Sequence, residues 1–102
     1  MTTLEITYNG CDNKENAFYQ YISWYLYING EIVDTEDSMF TVQKFSDEAK
    51  FEKAYNMELL LKASRLRDNM MDKWWATNGK ITVKLTGLVK EDTKDLMEQI
   101  LN

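Results

Sequence analysis

Residues 18–30 read FYQYISWYLYING, and no other stretch limits the fold as tightly. Tyr19, Tyr21, Tyr25 and Tyr27 alternate with Ile22, Trp24, Leu26 and Ile28, and Ser23 fills the gap in the phenolic row. A period of two marks a strand whose successive side chains point to opposite faces. One face of this strand is therefore apolar and the other is lined with phenols. Asn29-Gly30 follows at once, and a type I′ turn needs positive φ at both central residues, which Asn and Gly tolerate. The strand, from Ala17 or Phe18 to Ile28, turns back tightly into another running from Glu31 to about Thr35. A two-residue turn pairs 28 with 31, 26 with 33 and 25 with 34. That register sets Leu26 beside Val33 on one face, and Tyr25, Tyr27, Ile32 and Asp34 on the other.

Upstream, TLEITY (3–8) alternates Leu4, Ile6 and Tyr8 with Thr3, Glu5 and Thr7, a further half-buried strand, and Asn9-Gly10 opens a polar loop. Downstream, MFTVQKF (39–45) fits either a continued strand or a short helical turn. Ser46 is the expected helix N-cap, with Asp47 and Glu48 in the first turn. Phe51, Tyr55, Leu59, Ala63, Leu66, Met70 and Trp74 then recur every three or four residues. This spacing predicts a long helix from 47 to about 77, with room for a bend near its middle, closed by Asn78-Gly79. KITVKLT (80–86) alternates as a fourth strand, and Glu91 and Asp92 start a last helix with Val89, Leu96, Met97, Ile100 and Leu101 on one side. The order β-β-β-α-β-α has no repeat and no internal linker, so residues 1–102 form a single domain. Strands that alternate this cleanly belong to a two-layer α+β fold, an antiparallel or mixed four-stranded sheet with the helices packed on one face. The tyrosines then line the other face.

Composition excludes several classes of function. A hydrophobic content of 44% with 13% aromatics is that of a folded chain, and no run approaches the roughly 20 apolar residues of a membrane span. MTTLEITYNG lacks the positive start and apolar run of a secretory signal, and one cysteine forms no internal disulfide; a reducing, cytoplasmic setting is expected. With no histidine and only Cys11, neither a zinc site nor a Cys-His nucleophile pair is expected, so no metal, no cofactor and no catalytic residue is assigned. Cys11 reads as an incidental thiol, and Gly10-Cys11 lacks the rest of a phosphate-binding loop. The net charge of −5 is uneven: all but three of the first 50 residues' charged side chains are acids, whereas the second half is nearly balanced. The chain has no proline and is rich in Asn, Lys, Asp, Tyr and Met, the usage of an AT-rich genome such as a low-GC bacterium or its phages.

Four clusters compete as the working surface. The tyrosine row offers rigid, amphipathic contact area at little entropic cost, the chemistry of a recognition surface, unless the rings only lean on one another or lie beneath residues 39–45. Glu31, Asp34, Glu36 and Asp37 border it, extended by Asp12, Glu15, Asp47 and Glu48. Paired carboxylates can do acid-base chemistry, but these crowd around turns rather than in a pocket, and DTED lacks the glycine and final glutamate of an EF-hand loop. Lys62, Arg65, Arg67 and Lys73 with Lys80 and Lys84 form the basic cluster, yet Glu58, Asp68 and Asp72 interleave it as on a solvated helix face. Base stacking on the tyrosines is disfavoured because phosphate affinity needs a positive groove, so direct nucleic-acid binding is not expected. Finally, Met70 and Trp74 continue the core stripe of the long helix, Met71 and Trp75 form a second apolar patch that is either core under the last helix or a binding hot spot, and Met57, Leu60 and Leu61 widen the apolar arc so that both sides of the helix are covered or a dimer forms.

In size, acidity and lack of catalytic apparatus the chain resembles small phage and mobile-element proteins that disable host defence, the anti-CRISPR and anti-restriction proteins among them. Some of these are acidic mimics whose carboxylates stand in for phosphates. The resemblance implies a non-enzymatic inhibitor in the host cytoplasm that binds a larger basic, nucleic-acid-binding protein such as a defence nuclease. Its expected contact residues are Tyr19, Tyr21, Tyr25, Tyr27, Glu31, Asp34, Glu36 and Asp37. Two other readings remain open: a homodimeric structural or regulatory protein whose tyrosine face is its own interface, and a module for single-stranded nucleic acid.

Overall fold

Asn29 and Gly30 both take positive φ, 52° and 84°, as the two-residue turn between the strand ending at Ile28 and the strand starting at Glu31 requires. A computed structural model describes residues 1–13, 17–43, 47–74, 80–87 and 90–102. It contains β1 (Thr2–Asn13), β2 (Ala17–Ile28), β3 (Glu31–Gln43), α1 (Glu48–Lys73), β4 (Thr82–Gly87) and α2 (Glu91–Leu101) in that order. The strands form one mixed sheet, β3-β2-β1-β4, in which only β1 and β4 are parallel. The fold is α+β, as the alternation predicts. Among the described residues no helix is long and apolar enough to cross a membrane.

Both helices cover the same face. Leu4, Ile6, Ile22, Trp24, Leu26, Val83 and Leu85 project from the sheet onto Leu59, Ala63, Leu66 and Met70 of α1 and Met97 and Leu101 of α2, and together they form one buried cluster. Twelve-residue strands reach about 40 Å, and a 26-residue helix about 39 Å. A single helix therefore lies along their full length. Each buried large apolar side chain contributes roughly 1.5–3 kcal/mol relative to leaving it in water. Tyr8 belongs to this face: it donates to the fully buried Gln20 Oε1 and stacks on Tyr55 with ring centroids 5.8 Å apart. Burial, with Cys11 and Tyr55 nearby, raises the Tyr8 phenol well above its usual pKa.

Several elements differ from their expected limits. β1 does not stop at Asn9-Gly10; a bulge there, with Gly10 at φ 114°, lets it continue to Asn13. Met39–Gln43 continues β3 as a strand. The N-cap of α1 is Asp47, whose Oδ1 accepts from the backbone N–H of Ala49 at 2.9 Å and of Lys50 at 3.4 Å. The helix ends at Lys73 with Trp74 as its cap, whereas Ser46, Trp75, Asn78-Gly79 and Val89 lie outside the described residues. In α2 only Met97 and Leu101 of the expected apolar side are buried; Leu96 and Ile100 are each 59% exposed. They sit about 100° around the helix from that pair, too far to reach the same sheet.

Candidate interaction surface

The face of the sheet opposite the helices carries the tyrosines. Tyr19, Tyr21, Tyr25 and Tyr27 alternate with the buried Gln20, Ile22, Trp24 and Leu26, so each ring stands on the outer face of β2. All four are half-buried by their strand neighbours. Across β3 they meet Thr41, Met39, Thr35 and Ile32, and on the β1 side Asp12, Gly10, Glu5 and Thr3. Lys84 of β4 lies beside Glu5. Among the described residues the ring-on-ring contacts lie on the helix side, Tyr8 on Tyr55, Phe18 on Phe51 and Phe51 on Tyr55. Residues 39–43, as the edge strand, do not fold over the tyrosines.

Polar side chains bridge the gap in the row. Asn9 Nδ2 donates to Ser23 Oγ at 2.8 Å, and Ser23 Oγ donates to Asp37 Oδ1 at 2.8 Å, a relay across three strands. Tyr21 OH donates to Asp12 Oδ2 at 2.8 Å, and this bond, reinforced by the carboxylate charge, raises the Tyr21 pKa. Thr7 and Thr86 share a hydroxyl hydrogen bond of 2.8 Å. These bonds hold Tyr21, Asp12 and Asp37 in place, and with the other three phenols they make a surface of aromatic planes and acceptors.

The acidic border is not where the sequence register puts it. A bulge at Val33 shifts the pairing between Tyr27 and Leu26, so Asp34 falls opposite Leu26 and Thr35 opposite Tyr25. A one-residue slip sends every later side chain to the other face. Asp34 consequently points to the helix side, where its Oδ2 accepts from Lys73 Nζ at 2.8 Å. That hydrogen bond and the lysine charge hold its carboxyl below the usual carboxylate range. Glu36, opposite Trp24, and Glu31, opposite Ile28, also fall on the helix side, both exposed. Of the four expected acids, Asp37 alone shares the tyrosine face. Asp12 takes a place there that its reading as a loop residue hid, because the strand continues through the bulge at Gly10.

A groove of about 450 Å³ lies between the helices, walled by Lys53, Met57, Leu60, Leu96, Met97 and Ile100. Among the described residues no three His, Cys, Asp or Glu side chains converge to hold a metal ion. Cys11 is free and exposed. No protein-family model, no curated protein and no solved structure matches the chain.

Proposed function

We propose that this chain is a non-enzymatic interaction protein whose tyrosine face docks on, and blocks, a basic surface of a larger protein. The observation that carries the reading is the row Tyr19, Tyr21, Tyr25 and Tyr27 on a sheet face that no described element covers, set among Glu5, Asp12 and Asp37. Tyrosines of this kind anchor an interface, while neighbouring carboxylates steer a cationic partner and accept charge-assisted bonds from it. The same acids disfavour two alternatives. A second copy would bring an identical set of carboxylates to the contact, and single-stranded nucleic acid would meet phosphate repulsion that Lys84, beside Glu5, does little to relieve.

A nucleic-acid-binding protein is the partner class that best fits an acidic, aromatic surface, because its groove is already built for negative charge and flat rings. A host defence nuclease, and a phage or mobile element as the source, follow from the resemblance in size and acidity. The test is a binding assay on the captured partner with Asp12→Lys/Asp37→Lys, compared with Asp72→Lys/Asp95→Lys, exposed acids on the two helices. The reading expects the first pair to cost more affinity than the second; equal losses would leave only a general charge effect.

A further inference from the structure

The two edges of the sheet are treated differently. On β4 the outward-facing main chain is already satisfied by side chains of α2 and its C-cap: Val83 N–H donates to Asn102 Oδ1 at 2.8 Å, Asn102 Nδ2 donates to Val83 C=O at 2.9 Å, and Leu85 N–H donates to Glu98 Oε2 at 2.7 Å. Side chains there occupy the place of a fifth strand. β3, at the other edge, pairs with β2 alone among the described residues. Ile28 and Glu31 close the two-residue turn as a hydrogen-bonded pair, and beyond the Val33 bulge the alternation turns the N–H and C=O of Thr35, Asp37, Met39, Thr41 and Gln43 away from β2.

Edges this long are normally blunted by proline, charged side chains or bulges, and here the charges, Glu31, Asp34, Glu36 and Asp37, are all acids, which turn away an acidic strand and not a basic one. Residues 31–43 contain no proline, no lysine and no arginine, and the bulge lies at Val33, which leaves Thr35–Gln43 in unbroken register. Met39 is 47% exposed and Thr35, Asp37, Thr41 and Gln43 are also exposed.

We propose that the outer edge of β3, from Thr35 to Gln43, is a strand-addition site that takes an extended, lysine- or arginine-rich segment of the partner as a fifth strand. The inference rests on the basic-partner reading above and adds the conformation in which that partner binds. Main-chain pairing supplies affinity, and the charges choose the sequence. Incoming side chains on the tyrosine side meet Asp37 and the phenols, and those on the helix side meet Glu36. The strand holds Glu31, Asp34, Glu36 and Asp37 and no base, so a second copy pairing here would crowd two acidic strands along one seam.

The probe is a nine-residue peptide alternating lysine and valine, set against the same peptide methylated at every peptide nitrogen, which keeps the charge and cannot donate. Hydrogen exchange of the full chain is followed residue by residue. With the unmethylated peptide the Asp37, Met39 and Thr41 amides are expected to exchange roughly tenfold or more slowly, with no change for the methylated one. Equal effects of the two peptides, or no protection at those amides, overturn the proposal, as does a chain that sediments as a dimer with those amides protected before peptide is added. Tyr21→Ala/Tyr25→Ala separates this inference from the reading beneath it. Edge protection that survives the double substitution upholds strand addition and removes the tyrosine face from the contact. Peptide binding that depends on the tyrosines, without edge protection, overturns strand addition and leaves the tyrosine face standing.

Discussion

Asn102 holds Val83 by both main-chain groups, accepting from its N–H at 2.8 Å and donating to its C=O at 2.9 Å. The C-cap of α2 thus closes the β4 edge as a neighbouring strand would. Asn102→Ala is expected to lower stability by about 1–3 kcal/mol, because both half-buried groups of Val83 lose their partner. Urea unfolding measures this, and Asn102→Asp, which keeps the acceptor and loses the donor, should fall between the two.

Asp34 and Lys73 tie the edge strand to the end of α1, and the lysine is 58% exposed, so the pair contributes only about 0.5 kcal/mol. The Asp34 carboxyl is lowered from its ordinary value of 3.8. A depressed carboxylate stabilises the fold above the unfolded value and loses that contribution as pH falls through the folded one. The stability gap between the native chain and Asp34→Asn should therefore be constant near neutrality and close as the solution is acidified below 3.8. Paired urea titrations across that range check both the sign and the window.

Gly87 takes φ 97°, and a Cβ there would lie 2.1 Å from the carbonyl oxygen of Tyr8. Parallel pairing of β4 with β1 brings those two backbones together, so the clash is with main chain that cannot swing aside. Gly87→Ala should cost about 3 kcal/mol or more. Thermal unfolding reads the loss, and a variant as stable as the native chain would contradict the approach of the two strands.

Much of this layout is legible in the sequence. The two-residue period of β2 separates Ile22, Trp24 and Leu26 from the tyrosines without reference to the rest of the chain, and Asn29-Gly30 sets the hairpin by backbone necessity. The three-to-four spacing likewise picks out Leu59, Ala63, Leu66 and Met70 as the buried stripe of α1. The single-residue irregularities are what the pattern does not carry. Nothing in EIVDTED marks Val33 as a bulge, since Ile32 and Val33 are equally apolar and no glycine intervenes, yet that one residue moves Asp34 and Glu36 off the tyrosine face. At Gly10 the same Asn-Gly pair that makes a turn at Asn29-Gly30 makes a bulge, so Asp12 reads as loop while it stands beside Tyr19. For α2, two adjacent apolar pairs satisfy the helical period equally well, and only docking on β4 decides that Met97 and Leu101 go inside.

The central claim is that the row of four tyrosines on β2 is the contact surface for a basic protein. It is tested most directly by capturing partners from a bacterial lysate at about 0.05 M salt, releasing them at about 0.5 M, and oxidatively footprinting the chain alone and in the captured complex. The account predicts that Tyr19, Tyr21, Tyr25 and Tyr27 lose reactivity together in the complex while Met57 in the groove between the helices keeps its own. Tyrosines as reactive in the complex as in the free chain, with Met57 protected instead, would contradict it.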